Sequence, residues 1–389
     1  MSASPLSRYV TGLLVVLVVV AGVVGYLAGS SVVPATTLTV TKPETRVVTS
    51  VVTQTQTIII TGPTTPTPTT PTTPKTTPTT PTTPTTPVAP YSIKIYTGGT
   101  GGVYYPIGVK LADILSRYSG GRITATASSS GASVANVRAL GAGDANLILV
   151  QNDVAYYAYH GLFMFEGSKI PNVRGVASLY PEIVHAIVRV DSGIKSLSEL
   201  EGKRIAVGPV GSGAAVEAEI VLRAANLWDK ITPQYLDYNQ AAEALKLGQI
   251  EAIIICTGLG TPSVVELSVT HPIRLLDIPD DVLSRIVQQG YTFFVRYVVP
   301  KGTYNGMDKE ANSLAIKAML AVSSDVPDDV VYTILKVMFD HVEELREAHA
   351  RAQDIKLETA LEGVPIILHP GAVRYYEEKG ITIPSYLRP

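Results

Sequence analysis

The fold is decided by the stretch Ser92-Ile-Lys-Ile-Tyr96 and the sequence that follows it, Thr97-Gly-Gly-Thr-Gly-Gly-Val-Tyr-Tyr-Pro106. The first piece is a short apolar run that predicts a β-strand, and a helical pattern begins after the glycines. Four glycines let the backbone of the loop approach a ligand closely. In open α/β sheets, ligands bind beyond the carboxyl ends of the strands, where helix N-termini present free amides. This unit therefore predicts both an α/β fold and a binding loop.

The same alternation of short apolar runs and helical periodicity continues from residue 91 to the C-terminus. It predicts an α/β architecture with largely parallel sheets. The predicted strands are Ser92–Tyr96, Arg122–Ala127, Ala145–Val150, Arg174–Leu179, His185–Arg189, Arg204–Val207, Ala252–Cys256, Ile273–Leu276 and Phe293–Val299.

These strands are too many for one small sheet, so we expect two lobes with a hinged cleft between them, as in periplasmic binding proteins. Lobe one is predicted at 91–182 plus 300–389 and lobe two at 183–299. The pair Arg174–Leu179 and His185–Arg189 is expected to form a crossover, and a strand near Phe293–Pro300 is expected to return the chain.

Three more segments repeat the strand–loop–helix arrangement: Ser128–Gly131, Gln151–Asp153 and Gly208–Gly213, with Thr257 as a neighbour of the last. Ser128–Gly131 could instead only cap a helix, and Asp153 could be an N-cap. The candidate ligand contacts in the four loops are Thr97, Gly98, Gly99, Tyr104, Ser128, Ser129, Gly131, Gln151, Asp153, Gly211, Ser212, Gly213 and Thr257. The first loop lacks the Gly-Lys-Ser/Thr and GxGxxG spacings of nucleotide-binding loops.

No pattern in the sequence indicates an enzyme, a cofactor or a metal site. The six histidines show no HExxH motif, and no Gly-X-Ser-X-Gly elbow occurs. Glu217 and Glu219 lie two residues apart on a predicted helix, so they do not share a face, and we expect both to be solvated. The single cysteine, Cys256, lies in an apolar run and is expected to be a small buried hydrophobe.

The first 90 residues decide the expected location. Tyr9–Gly29 carries no charge and is about long enough, as a helix, to cross a bilayer. We expect residues 1–29 to be a membrane anchor or signal segment, with an uncleaved anchor favoured. The Thr/Pro-rich residues 30–90 are expected to be a disordered stalk. The predicted location is the cell membrane, single-pass, with the C-terminal domain outside.

The net charge argues against a nucleic-acid binder. The chain carries −2 in total. Residues 1–90 hold four basic residues and one acidic residue, a net of +3, so residues 91–389 carry −5. A mildly acidic domain lacks the basic surface that nucleic acids require.

Five segments resemble the TAXI family, the solute receptors of tripartite ATP-independent periplasmic (TRAP) transporters. They follow one another along residues 91–389: Thr97–Gly108 (TGGTGGVYYPIG), Leu149–Tyr159 (LVQNDVAYYAY), Ala177–Val184 (ASLYPEIV), Asp191–Gly213 (DSGIKSLSELEGKRIAVGPVGSG) and His369–Tyr376 (HPGAVRYY).

The resemblance implies a receptor that binds a small solute between two lobes and delivers it to a TRAP permease. It implies an acidic amino acid or another carboxylate as ligand, with glutamate favoured. The contacts that it implies are Thr97, Gly99, Tyr104, Ser129, Gln151, Asp153, Tyr180 and Ser212. Lobe one is expected to bind the solute first, and lobe two then closes over it.

One departure from related receptors is the absence of arginine from the four loops. Helix N-termini and hydroxyls would have to bind a ligand carboxylate instead. Arg189 is the nearest candidate, although a surface or hinge position is favoured for it. A receptor for an ABC importer and a ligand-sensing ectodomain remain alternatives.

Overall fold

The computed structural model describes residues 89–389. The predicted anchor at 1–29 and all but the last two residues of the predicted stalk at 30–90 lie outside this range. Within residues 89–389, no helix is long and apolar enough to span a bilayer. The expected single-pass membrane location has no support in the described residues, and we do not retain it.

The described chain forms one ten-stranded sheet with helices packed against it. The strands are β1 (Tyr91–Tyr96), β2 (Ile123–Ser128), β3 (Leu147–Gln151), β4 (Val173–Arg189), β5 (Arg204–Ala206), β6 (Thr232–Gln234), β7 (Ala252–Thr257), β8 (Ile273–Leu275), β9 (Val295–Val299) and β10 (Ala311–Ser323). The main order is β2-β1-β3-β10-β4-β7-β5-β6, with β8 paired to β4 and β9 paired to β10. Pairing is parallel at each end of this order, in β2-β1-β3 and in β7-β5-β6.

The described range contains ten α-helices. They are α1 (Tyr104–Tyr118), α2 (Ser133–Ala142), α3 (Asn152–His160), α4 (Gly213–Ala224), α5 (Tyr238–Lys246), α6 (Pro262–Thr270), α7 (Asp280–Gln288), α8 (Asp328–Asp340), α9 (Val342–Ala348) and α10 (Pro370–Glu378). Several begin where the local sequence supplies a cap. The Ser212 hydroxyl accepts a hydrogen bond from the Ala215 amide at the start of α4, and Asp237 forms a capping box with Gln240 at the start of α5.

Two long strands correct the predicted connections. The pair of strands predicted at 174–179 and 185–189 is one continuous strand, β4, of 17 residues. The returning strand is β10, which pairs antiparallel with β4 and β3, and not the segment near Phe293–Pro300. The pairing of β10 with β4 shifts register between Lys317 and Met319 and again between Leu320 and Ala321. Both strands run through the middle of the sheet.

The hydrophobic core divides at these two strands. One cluster holds buried residues from Ile93 to Tyr180 and from Ala318 to Leu387. Two others, on the two faces of the remaining sheet, hold buried residues between Ile183 and Ile316. The chain thus has the two-lobed α/β fold of periplasmic binding proteins, which confirms the predicted fold class.

The exact lobe boundaries remain a proposal. Tyr304 and Met307 pack into the core of the second lobe, although the sequence-based division placed 300–389 entirely in lobe one. We propose lobe one at about 91–182 plus 317–389 and lobe two at 183–316.

Candidate functional site

A small cavity, with about 50 Å³ of free volume, lies between the two lobes. The residues that line it come from both lobes and from the strand between them: Gly98, Gly99, Gly102, Val103, Tyr104, Ala132, Ser133, Gln151, Glu182, Pro209, Ser212, Gly213, Ala214, Asp237, Tyr238, Cys256 and Thr257.

Four helices begin at the wall of this cavity. They are α1 and α2 from lobe one, which start at Tyr104 and Ser133, and α4 and α5 from lobe two, which start at Gly213 and Tyr238. The first amides of an α-helix have no acceptor within the helix and carry the positive end of its dipole. The arrangement therefore favours negative charge at several points of the wall.

The lobes are in close contact around the cavity. A Cβ atom on Gly213 would lie 1.4 Å from the Gln151 Oε1 atom of the opposite lobe, so only glycine permits this approach. Interlobe hydrogen bonds join the Ala135 amide to the Gly211 carbonyl at 3.0 Å and the Ser263 amide to the Gly101 carbonyl at 3.3 Å. The structure is that of a closed two-lobed protein.

The most buried carboxyl group of the wall is that of Glu182. It lies in β4 opposite Ile316 of β10, and it is only 3% exposed. Burial raises the pKa of Glu182 to about 8, and the nearby charge of Asp153 adds to the rise, while Gln151 and Tyr104 oppose it. No arginine, lysine or histidine of the described chain is among the lining residues.

Two further carboxyl groups meet behind the wall. Asp153 lies in the first turn of α3 in lobe one, Glu217 lies on α4 in lobe two, and both are fully buried. Burial raises the pKa of Asp153 to about 6, against the opposing effect of the Val154 amide that it accepts from. Burial and the facing Asp153 hold the pKa of Glu217 well above its ordinary value. The expectation that Glu217 is solvated was wrong, whereas Glu219 pairs with Arg223 on the surface.

Seven of the predicted ligand contacts line the cavity: Gly98, Gly99, Tyr104, Gln151, Ser212, Gly213 and Thr257. The hydroxyls of Ser212 and Thr257 already have partners, since Ser212 caps α4 and Thr257 bonds Thr261 at 2.9 Å. The Tyr104 hydroxyl and the Gln151 Oε1 atom are buried without a hydrogen-bond partner in the described chain. These two side chains are therefore the strongest of the predicted contacts.

The other seven predicted contacts do not line the cavity: Thr97, Ser128, Ser129, Gly131, Asp153, Tyr180 and Gly211. The Thr97 hydroxyl donates to the Ser128 carbonyl at 2.8 Å and so holds β1 against β2. Ser128 and Ser129 are exposed. Tyr180 packs edge-on behind Tyr104, with 6.5 Å between ring centroids. Their proposed role is to support the site rather than to touch the ligand.

Sequence reasoning missed Glu182, Ser133, Tyr238 and Asp237, which also line the cavity. Glu182 lay inside the short segment that was predicted to be a connection between two strands, so nothing marked it as a wall residue. Tyr238 follows β6, a strand of three residues without apolar alternation. Cys256 is buried as predicted, and it lines the cavity too. Arg189 pairs with Asp191 away from the cavity.

Comparison with solved structures finds distant similarities to binding proteins. The alkanesulfonate-binding protein SsuA from Xanthomonas axonopodis pv. citri is 18% identical, with a TM-score of 0.43 over 76% of this chain and 82% of that one. A binding protein of an ABC phosphonate transporter from Pseudomonas aeruginosa is 12% identical (TM-score 0.44, 69% and 81%). The GluR0 ligand-binding core from Nostoc punctiforme is 12% identical (TM-score 0.41, 68% and 100%). All three are distant.

A family model gives the stronger result. The model of the NMT1-like family matches residues 95–380, which include both lobes and every wall residue of the cavity. The chain belongs to the NMT1-like family of solute-binding proteins.

Proposed function

We propose that this solute-binding protein captures a small amino acid or organic acid in the interlobe cavity, with glutamate as the first candidate. The observation that carries the proposal is the convergence of four helix N-termini on one cavity that both lobes build. Such a wall can bind a carboxylate without an arginine, because backbone amides and helix dipoles supply the positive potential. The described wall offers no cationic side chain for that purpose.

We further propose that the bound solute is delivered to a TRAP-type permease. Support comes from the sequence segments that resemble the TAXI family, among them the Thr97–Gly108 loop, which contributes Gly98, Gly99 and Tyr104 to the wall. Closure of the lobes over the solute would create the surface that a permease recognises. An ABC importer is the alternative destination.

The solute class is tested by calorimetric titration of the protein with L-glutamate, L-glutamine, L-alanine, L-leucine, succinate and methanesulfonate. We expect at least one amino acid or carboxylate to bind with a Kd below about 10 μM, equivalent to roughly −7 kcal/mol. Binding of methanesulfonate alone would contradict the proposal. The destination is tested with proteoliposomes that contain a TRAP-type permease: uptake of labelled solute should require this protein and an ion gradient but no ATP.

Replacement of Gln151 by alanine is expected to weaken solute binding at least tenfold, or about 1.4 kcal/mol. Gln151 is 2% exposed, and its Oε1 atom has no partner in the described chain, so the ligand is its natural partner. Tyr104→Ala should have a similar effect for the same reason. Gln289→Ala, at an exposed position at the end of α7, is the matched control and should bind normally. Unchanged affinity in Gln151→Ala would remove that residue from the site.

A further inference from the structure

The cavity wall carries a buried carboxyl group with no cationic side chain of the described chain beside it. Glu182 lines the cavity at the crossing of the two lobes, and Asp153 and Glu217 lie close behind it. The partly exposed Arg351 lowers the pKa of Tyr180, but it pairs with Asp354 at 3.1 Å and does not line the cavity. A buried carboxylate without a cationic partner is costly. A cationic group on the ligand would remove this cost.

Unpartnered polar atoms surround the same point. The Gln151 Oε1 atom and the Tyr104 hydroxyl oxygen are each buried, line the cavity and accept no hydrogen bond from the described chain. Both side chains lie close enough to Glu182 to lower its pKa. An ammonium group has three hydrogen-bond donors and no acceptor. A carboxylate, an amide oxygen and a hydroxyl oxygen together can accept all three of its hydrogen bonds.

The helix starts at the wall have the opposite character. Helices α1, α2, α4 and α5 begin there, and the positive ends of their dipoles favour an anionic group. A carboxylate acceptor on one side and helix N-termini on the other would bind a molecule that carries a positive and a negative group close together.

We propose that the ligand is an α-amino acid whose ammonium group is bound by Glu182, with Gln151 and Tyr104 as its second and third acceptors. The helix N-termini bind the α-carboxylate of the same molecule. This inference rests on the proposed solute-binding function and narrows its ligand class. It makes the amine obligatory, so an organic acid that lacks it is excluded as a physiological ligand.

Proton release offers an independent readout. Since burial raises the pKa of Glu182 to about 8, the empty site holds this group mostly protonated at pH 7. An arriving ammonium would favour the carboxylate, and a proton would leave the protein. The observed binding enthalpy should then differ between buffers of low and high ionisation enthalpy by an amount that corresponds to between 0.5 and 1 proton, estimated as an order of magnitude from that pKa.

The test compares amino acids with their 2-oxo analogues on the intact protein. The pairs are L-glutamate with 2-oxoglutarate, L-alanine with pyruvate, and L-leucine with 4-methyl-2-oxopentanoate. We expect the amino acid of the best pair to bind at least about 30-fold more tightly than its analogue, the lower limit for removal of one partner from a buried charge pair. The amino acid should also release a proton on binding, whereas its analogue should not.

A variant separates the ammonium contact from general damage to the site. Glu182→Gln should lower affinity for the amino acid about 30-fold or more and leave the affinity for the 2-oxo acid unchanged or improved. Glu201→Gln, at an exposed ion pair with Lys230, is the control and should bind as the wild type does. If Glu182→Gln does not fold, the paired titration of the wild type decides alone.

The outcomes are distinguishable. A 2-oxo acid that binds as tightly as its amino acid overturns the ammonium contact but leaves the solute-binding proposal intact. Absence of binding by every member of the three pairs, together with the failure of the wider panel above, would overturn the proposed function and this inference with it.

Discussion

Gly213→Val is expected to lower solute affinity at least about 100-fold, or 2.7 kcal/mol, while the fold remains intact. Gly213 is the first residue of α4, and its would-be Cβ atom lies 1.4 Å from Gln151 Oε1 and 3.1 Å from Ser133 Cβ, both in the opposite lobe. A side chain there must displace Gln151 or hold the lobes apart. Either result removes ligand contacts from one side of the cavity, and an open cleft also readmits water.

Calorimetric titration measures the loss of affinity, and small-angle scattering with and without solute measures closure. The wild type should become more compact when solute is saturating, whereas Gly213→Val should not. Val210→Ala is the control within the same turn, because the Val210 side chain is 76% exposed and outside the cavity wall. Normal affinity in Gly213→Val would show that binding does not need the close approach of these lobes.

The stability of the ligand-free protein is expected to fall as the pH rises from 6.5 to 8.5. Burial raises the pKa of Glu182 to about 8, above its value in the unfolded chain, so the folded state binds the extra proton. Such a group contributes stability that is complete below the unfolded pKa and is lost as the pH rises through the folded pKa. Between pH 6.5 and 8 this amounts to about 2 kcal/mol, at roughly 1.4 kcal/mol per pH unit.

The carboxyl groups near Glu182 change the free energy of unfolding with pH in the same direction. Glu217, with a raised pKa of its own, adds to the fall, and Asp153 contributes below about pH 6. The buried tyrosines titrate above this window, because their pKa values are raised from 10. Four histidines have lowered pKa values and act in the opposite direction below about pH 7.5, where the unfolded chain takes up protons: His160, His185, His349 and His369.

Urea unfolding at pH 6.5, 7.5 and 8.5 measures this dependence. Glu182→Gln cannot titrate, so its free energy of unfolding should vary by less than half as much as that of the wild type. Glu201→Gln, at an exposed position, should retain the full slope. A wild type whose stability is constant or rises over this range would show that Glu182 is ionised in the empty site.

The sequence predicted the parts of the molecule that local chemistry determines. Strand–loop–helix units around Thr97–Gly108 and Gly208–Gly213 located the starts of α1 and α4, and these starts do line the cavity. Glycine-rich turns and helix caps have short-range signatures, so their position could be read without the fold.

The features that depend on tertiary pairing escaped prediction. β10 reads Ala-Asn-Ser-Leu-Ala-Ile-Lys-Ala-Met-Leu-Ala-Val-Ser, and its alanines, leucines and methionine favour a helix as much as a strand. It is extended because β3 and β4 flank it on both sides. The burial of Glu217 was not predicted for a related reason. Helical spacing shows which residues share a face of a helix, but the face that carries Glu217 is buried only because the opposite lobe packs against it.

β10 has a consequence for how the protein can be divided. Its first half pairs with β9 and its second half with β3, while β4 accompanies it through the middle. Strand β10 therefore contributes to the sheet of both lobes. We therefore expect that neither lobe folds on its own, because removal of one lobe would leave a strand of the other lobe without its pairing partner. Heating should accordingly unfold residues 89–389 in a single cooperative transition, although the ligand cavity separates these residues into two lobes.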